Sequence, residues 1–128
     1  MARQRVSSGG PWEARFGYSR VAVAGDMAFV AGTTDAGPDG RSLHPDDPAG
    51  QARAVIEIIE RALVEAGFSL PDVVRTRMFV TDVAHIAPIA TVHGEVFRDI
   101  RPASTAVVVA ALIDPSLLVE IEADARRA

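Results

Sequence analysis

Acidic residues near the end of the chain are the first candidates for chemistry, because they alternate with apolar residues. In the segment 118–124 (LVEIEAD), an extended strand puts Leu118, Glu120, Glu122 and Asp124 on one side. Valine, isoleucine and alanine occupy the other side. A carboxylate on such a face can act as a general acid or base if the face lines a site, or it can be solvated or paired with a cation. The remaining elements of the chain must decide between these interpretations.

Two arginines and two hydroxyl residues are further candidates. Arg77 is predicted on the same sheet face as Glu120, where it could bind an anion or neutralise the acidic residues. Arg101 could also supply a cation, or could cap the dipole of the preceding helix. Ser104 and Thr105 could donate hydrogen bonds to a bound carboxylate or carbonyl, or could be ordinary residues at the start of a strand. The sequence offers no His–Asp arrangement to activate either hydroxyl, which disfavours a serine hydrolase.

The three histidines do not form a metal-binding pattern. His44 falls in a predicted loop, His85 at the start of a helix, and His93 within that helix without completing an HExxH motif. The sequence contains no cysteine, which excludes disulfides, cysteine-based zinc sites and a thiol nucleophile. We therefore expect no metal and no cofactor, and we expect the histidines at the surface or at an interface.

Length and composition predict a single globular domain spanning residues 1–128. Hydrophobic residues make up 48% of the chain, which is enough for a compact core. The net charge is −4 and the basic residues are scattered, which disfavours a nucleic-acid partner. No apolar run approaches the roughly 20 residues that span a bilayer, and the opening MARQR is not followed by the apolar run of a secretory signal. We therefore expect a cytoplasmic protein with no membrane partner.

Hydrophobic periodicity predicts a sheet of five or six strands and two helices. The helices are too few to cover both faces of such a sheet, so we expect both on one face, in an α+β fold. Turn residues Gly25-Asp26 mark a hairpin, and Asp47 with Pro48 marks a helix start. In chain order, the predicted elements are a hairpin at 21–24 and 27–31, a helix at 48–66, a strand at 73–80, a helix at 86–100, and strands at 104–109 and 118–123.

The opposite face of the sheet is predicted to lack a covering layer. In the strand 73–80, Val74, Thr76, Met78 and Val80 should face the helices. The open face would instead carry a mixture of charged and apolar side chains, among them Arg75, Arg77, Phe79, Glu120 and Glu122. This mixture is too apolar to leave fully in water and too charged for a monomer core. We therefore expect the open faces of several subunits to pack together, with clefts near the seams.

Four stretches of the sequence together resemble the Rid/YjgF family, the reactive-intermediate deaminases. They are Gly17-Tyr18, the strand end Phe29–Thr33, the strand Val73–Asp82, and the C-terminal signature from Arg101-Pro102-Ala103 to Leu118–Ala123. The resemblance implies a chorismate mutase-like subunit with a mixed sheet. It also implies a homotrimer with the sheets inside, the helices outside, and a cleft at each subunit interface. Active members hydrolyse small imines and enamines such as 2-aminoacrylate to keto acids and ammonia.

The resemblance also assigns roles to individual residues. It implies that Glu120 handles the catalytic water, and it places Tyr18 and Gly32 in the cleft and His93 near its lining. The family has an arginine after the Pro-Ala pair, which holds the substrate carboxylate, whereas this chain has Ser104. The family usually has glutamine after the strand-end glycine, whereas this chain has Thr33. The chain is thus similar to a branch of the family outside the archetypal deaminases.

Three functional hypotheses follow from these assignments. The first is a trimer that binds, and through Glu120 hydrolyses, a small imine, enamine or carbonyl metabolite at ligand-binding residues Tyr18, Gly32, Thr33, Arg77, His93, Ser104 and Thr105. The second is a non-catalytic small-molecule-binding or stabilising trimer. The third, a ribonuclease or translation inhibitor, is disfavoured by the scattered basic residues. Either Arg77 or Arg101 could supply the positive charge of the missing arginine.

Overall fold

The computed structural model describes residues 4–127, and the outermost residues of the predicted domain 1–128 lie outside the described residues. The strands are β1 (Gln4–Val6), β2 (Val21–Ala24), β3 (Met27–Thr33), β4 (Val73–Val80), β5 (Ala103–Val108) and β6 (Val119–Arg126). The helices are α1 (Glu13–Phe16), α2 (Pro48–Glu65) and α3 (Ile86–Phe97). Short 3-10 turns at Leu70–Asp72 and Val83–His85 precede β4 and α3.

The strands form one mixed sheet in the order β1-β2-β3-β6-β4-β5. All neighbours are antiparallel except β4 and β5, which are parallel. The long helices α2 and α3 contact each other and bury their apolar sides on the same face of the sheet. This confirms the predicted α+β class, with a mixed sheet and two main helices on one face.

Local sequence signals account for the hairpin and the longer helix. Gly25 has a φ of 61°, the left-handed conformation that a tight turn between β2 and β3 requires. At the start of α2, the Asp47 side chain accepts a hydrogen bond of 2.9 Å from the Gly50 amide, and Pro48 occupies the first turn. Among the residues described, no helix is both long and apolar enough to cross a membrane.

The alternation of β6 is as predicted. Val119, Ile121 and Ala123 are buried against the helices, while Glu120 and Glu122 are half-buried on the opposite face. The sheet therefore has one face packed on α2 and α3 and one face that carries the acidic residues. We call the second face the open face.

Four details differ from the sequence-based predictions. Strand β1 and the short helix α1 were not predicted, and α3 ends at Phe97 rather than at Ile100. Val74 was expected to face the helices but is 48% exposed, and Val73 is buried instead. The reason is a register shift between Val73 and Arg75, which turns the start of β4 by one residue relative to β6.

Candidate functional site

A cavity of about 780 Å³ brings together four of the predicted site residues. Its lining includes Tyr18, Gly32, Thr33 and Glu120. The walls come from the segment before α1, from the end of β3 and its following loop, from α2, and from β6. We call this space the Glu120 cavity.

A β-bulge at the end of β3 allows the Glu120 side chain to pack directly against the backbone of β3. Val30 pairs with Ala123 and Thr33 with Ile121, so β3 advances by one more residue than β6 between these two pairs. The bulge contains Gly32, and a Cβ added at this glycine would lie 2.9 Å from Cδ of Glu120. Only a residue without a side chain leaves room for the carboxylate here, which is the physical reason for glycine at position 32.

The protonation of Glu120 is shifted by its surroundings. Burial raises the pKa of the Glu120 carboxyl above its ordinary value of 4.5, the positive charge of Arg20 opposes this rise, and the negative charge of Glu122 adds to it. The pKa of Glu120 is therefore raised overall. A carboxyl group with a raised pKa can exchange a proton with a reacting group closer to neutral pH than a solvated one can.

Arg20 lines the cavity and was not singled out from the sequence. It is 5% exposed, and its Nη1 donates hydrogen bonds to the Gly32 carbonyl at 2.6 Å and to Oγ1 of Thr33 at 3.0 Å. Its Nε donates to Oγ of Ser8 at 3.1 Å. The available sequence signal was an arginine directly before the apolar run of β2, where a buried cation must find acceptors.

Glu13 balances the buried charge of Arg20. Oε2 of Glu13 lies 3.6 Å from Nη2 of Arg20 and accepts hydrogen bonds from Oγ of Ser8 at 2.7 Å and from the Gly10 amide at 3.0 Å. Burial alone would raise the pKa of Glu13, but these hydrogen bonds and the Arg20 charge outweigh it and lower that pKa. The pair therefore fastens the segment before α1 to the wall of the Glu120 cavity.

Thr33 contributes to this wall through its hydroxyl group. It is 1% exposed, accepts from Arg20, and donates to the Ala31 carbonyl at 2.7 Å. Its hydroxyl is thus occupied within the protein, and the side chain holds Arg20 in place.

Ser104 and His93 lie together, but away from the Glu120 cavity. Oγ1 of Thr76 lies 2.8 Å from Nε2 of His93 and 2.8 Å from Oγ of Ser104, which forms a chain of three polar groups between α3, β4 and β5. Burial lowers the pKa of His93, which favours its neutral form. Ser104 pairs in register with the buried Thr76, so it faces the helix side of the sheet, opposite to Glu120. One chain therefore does not bring Ser104 and Glu120 together.

Arg77 and Thr105 lie on the open face in paired positions of β4 and β5. Nη1 of Arg77 contacts Oε1 of Glu122 at 3.2 Å and Oδ2 of Asp124 at 3.4 Å. Arg77 thus neutralises two acidic residues of β6. Arg101, with a φ of 55°, lines a second cavity of about 630 Å³ together with His93.

The other two histidines, His44 and His85, do not line either of the two cavities described above. Nδ1 of His44 lies 3.0 Å from Oδ2 of the buried Asp35 in the loop after β3. His85 ends the 3-10 turn before α3. Within residues 4–127, no three His, Asp or Glu side chains are grouped so that they could hold a metal ion.

The proteins to which this chain is similar are consistent with one another. A family model described as endoribonuclease L-PSP matches residues 11–127. An uncharacterized protein of Streptomyces coelicolor is 36% identical over 127 residues, which cover 98% of this chain and 93% of that protein. A RutC family protein of Pyrococcus horikoshii is 35% identical over 106 residues, or 83% of each chain.

Solved structures agree with the sequence relatives. A member of the YjgF/YER057c/UK114 family from Mycobacterium tuberculosis has a TM-score of 0.88 at 47% identity, with 98% of this chain and 100% of that chain covered. The crystal structure of E. coli TdcF with bound serine has a TM-score of 0.78 at 30% identity, with 97% and 94% covered. The mixed sheet with two main helices is the chorismate mutase-like architecture of these proteins. The chain described here therefore belongs to the Rid/YjgF family.

Proposed function

We propose that this protein binds a small imine, enamine or carbonyl metabolite in the Glu120 cavity and hydrolyses the imine to a carbonyl compound and ammonia. The observation that carries the proposal is the Glu120 carboxyl group, which is half-buried, lies on the Gly32 backbone and has a raised pKa. Such a group combines access to a ligand with a proton affinity suited to acid–base chemistry.

The proposed reaction needs only water in addition to the imine. The imine enters in its protonated form, and ionised Glu120 takes a proton from a water molecule as the water oxygen adds to the C=N carbon, which gives a neutral carbinolamine. Glu120 then passes this proton to the amino nitrogen. As the C–N bond breaks and ammonia leaves, the carbinolamine hydroxyl group gives its proton back to Glu120, the C=O bond forms, and the departing ammonia takes that proton as ammonium. Tyr18 lines the same cavity and offers a hydroxyl group to orient the ligand.

A relative supports a small polar ligand for this site. E. coli TdcF, which is 30% identical to this chain, was crystallised with bound serine. Serine is an amino acid, and small imines and enamines form from amino acids. A ligand of this class is consistent with a cavity that contains both Arg20 and Glu120.

The assembly is part of the proposal. We propose a cytoplasmic homotrimer whose open faces pack together, so that clefts lie between subunits. A neighbouring subunit could then contribute the second group of predicted ligand-binding residues, which lie away from the Glu120 cavity of their own chain: Arg77, His93, Ser104 and Thr105. Arg77 is already paired with Glu122 and Asp124, which favours a structural role for it over replacement of the missing arginine.

Ammonia release tests the proposed hydrolysis. The purified protein is added to imines and enamines that are generated in situ from a panel of amino acids, and ammonia and the carbonyl product are measured. We expect release above background that falls by about 100-fold or more in Glu120→Gln, because general acid–base catalysis contributes on the order of 10²–10⁴-fold. Equal release by the native protein and Glu120→Gln would refute the role of Glu120.

A non-catalytic binding trimer is the second candidate, and it is favoured by serine at position 104. The variant Ser104→Arg separates the two functions, because it restores a cation that can hold a substrate carboxylate. If the native site is catalytic, this variant should release ammonia from 2-aminoacrylate faster than the native protein does. If neither protein releases ammonia from any substrate, the binding function is the better account.

A further inference from the structure

Three hydrogen-bonded side chains connect helix α3 to the edge strand β5. Nε2 of His93 lies 2.8 Å from Oγ1 of Thr76, which in turn donates to Oγ of Ser104 at 2.8 Å. Thr76 is 1% exposed on the helix side of β4, whereas Ser104 belongs to the outermost strand of the sheet. Both hydrogen bonds lie within one subunit, so they do not depend on where a neighbouring subunit packs. We call these three residues the Ser104 network.

The single hydroxyl proton of Thr76 sets the direction of the Ser104 network. Thr76 gives this proton to Ser104, so the Thr76 oxygen can only accept from His93. Nε2 of His93 must therefore carry a proton. Burial lowers the pKa of His93, which leaves Nδ1 without a proton at neutral pH. Because the Ser104 oxygen accepts from Thr76, the Ser104 proton points away from the network and can be donated to a ligand.

The Ser104 network is uncharged, and the arginines nearest to it in sequence lie elsewhere. Arg75 and Arg77 alternate with Thr76 along β4, so they lie on the opposite face of the sheet. Two acidic residues of β6 also neutralise Arg77. Arg101 lines the second cavity, whose lining does not include Ser104. A carboxylate that leaves water needs a cation, whereas an uncharged carbonyl oxygen needs only a hydrogen-bond donor.

We propose that Ser104 donates its proton to an uncharged carbonyl oxygen of the ligand, that of an amide or ester group beside the imine or carbonyl carbon. Thr76 and His93 are positioning residues that direct the Ser104 proton toward this oxygen. The inference rests on the proposed function at one point, since a neighbouring subunit must bring its Ser104 to the ligand at Glu120. The uncharged class of the ligand rests on the Ser104 network itself.

Three ligands of similar size test this preference without turnover. They are pyruvate, its amide 2-oxopropanamide and its methyl ester, and their dissociation constants are measured by isothermal titration calorimetry. We expect each uncharged ligand to bind about tenfold more tightly than pyruvate, because the carboxylate would lose hydration without gaining a cation. Equal or tighter binding of pyruvate would overturn the inference. Loss of that pyruvate binding in Arg101→Gln would then identify Arg101 as the cation of the site.

Substitutions in the Ser104 network should change the preference between the ligands. Ser104→Ala and Thr76→Val should each weaken binding of the uncharged ligands by about threefold or more, because a hydrogen bond is lost or misdirected. Ser104→Arg should invert the preference in favour of pyruvate, which general damage to the fold would not do. Thr91→Val is the matched control, because the Thr91 hydroxyl donates to the Ala87 carbonyl within α3. It should keep the native preference.

The proton positions in the Ser104 network are measured separately. Nitrogen-15 NMR of the His93 ring in the native protein at neutral pH should show a proton on Nε2 and none on Nδ1. A proton on Nδ1 alone would reverse the hydrogen bonds and remove the outward donor at Ser104. Protons on both nitrogens would make the network cationic. Either result would overturn the inference.

The outcomes distinguish this inference from the proposed hydrolysis. A preference for uncharged ligands that Ser104→Ala abolishes, without ammonia release from any imine, would support the inference and contradict the hydrolysis. Ammonia release that depends on Glu120, together with tighter binding of pyruvate, would do the reverse. Absence of binding of all three ligands, or a preference that Ser104→Ala leaves unchanged, would overturn the inference.

Discussion

At the scale of single residues, the protonation of Glu120 depends on two opposing effects, its burial and the positive charge of Arg20. The guanidinium group of Arg20 donates to the Gly32 carbonyl, and the Glu120 carboxylate lies on the same glycine. Burial raises the pKa of Glu120 and the Arg20 charge lowers it, so the net rise is smaller than burial alone would produce. Strand alternation placed Glu120 on the face opposite the core, and the resemblance to the Rid/YjgF family singled it out among the acidic residues of that face. Sequence reasoning missed Arg20, whose position before the apolar run of β2 was a signal, but whose contacts with Ser8, Glu13 and Gly32 depend on the folded chain.

Removal of the Arg20 charge should raise the pKa of Glu120 further. Arg20→Gln alone would leave Glu13 buried without its cation and could destabilise the fold, so the double variant Glu13→Gln/Arg20→Gln is made as well. If ionised Glu120 is the base, the acidic limb of the pH–activity profile should move to higher pH. Carbon-13 NMR titration of Glu120 should show the same direction of change in the protein without ligand.

The control for this charge effect is Arg53→Gln. Arg53 pairs with Glu95 at 2.9 Å on the helical side of the protein, where both side chains are about half exposed. The Glu120 titration should not change in this variant. An unchanged Glu120 titration in the folded double variant would contradict the proposed influence of Arg20.

At the scale of elements, the bulge in β3 positions the carboxylate. The extra residue between Val30 and Thr33 bends the strand where it meets β6, and Gly32 at the bulge gives Glu120 space to lie on the backbone. A regular pairing of β3 and β6 would give every residue of β3 a direct partner. The bulge therefore connects the register of the sheet to the geometry of the site.

Gly32→Ala tests the role of the bulge. The added methyl group would collide with the Glu120 carboxyl and displace it, and a displacement of about 1 Å at a reacting group can reduce the rate by about 100-fold. We expect ammonia release to fall by about this factor. Gly94→Ala, in α3 with open space around the added methyl group, is the control and should retain activity and gain roughly 0.5–1 kcal/mol of stability. Full activity of Gly32→Ala would show that the position of Glu120 does not matter.

Elements with strong local signals were predicted well, and elements defined by distant pairing were not. The capping of α2 by Asp47 and the hairpin turn at Gly25 depend on neighbouring residues only. Strand β1 has three residues and exists because Gln4–Val6 pairs with β2, which no local pattern reveals. The exposure of Val74 likewise follows from a register shift against β6.

At the scale of the whole molecule, no layer formed by residues 4–127 covers the open face of the sheet. Phe29, 46% exposed, pairs in register with Asp124, and Phe79 pairs with Glu120 on the same face. Arg77 is paired with Glu122 and Asp124 on this face. Apolar rings beside neutralised charges are suited to an interface between subunits, as the proposed homotrimer requires.

Phe29→Asp should disrupt this assembly. A new carboxylate on the open face adds negative charge beside Asp124 and would have to be desolvated in the interface. By size-exclusion chromatography with light scattering, we expect the native protein near three times the chain mass of 13.5 kDa and the variant near one chain mass. Val83→Asp, at an exposed position in the 3-10 turn before α3, should keep the native mass. A native protein that elutes as a monomer would contradict the trimer.

The sequence by itself determined the family, the α+β class and the side of β6 on which Glu120 lies, because these follow from alternation, capping and motifs that neighbouring residues carry. The tertiary structure decided which candidates meet. It joined Tyr18, Gly32, Thr33 and Glu120 in one cavity and added Arg20. It placed Ser104 on the opposite face of the sheet. These outcomes depend on strand register, and a shift of one residue reverses the face of every side chain in a strand.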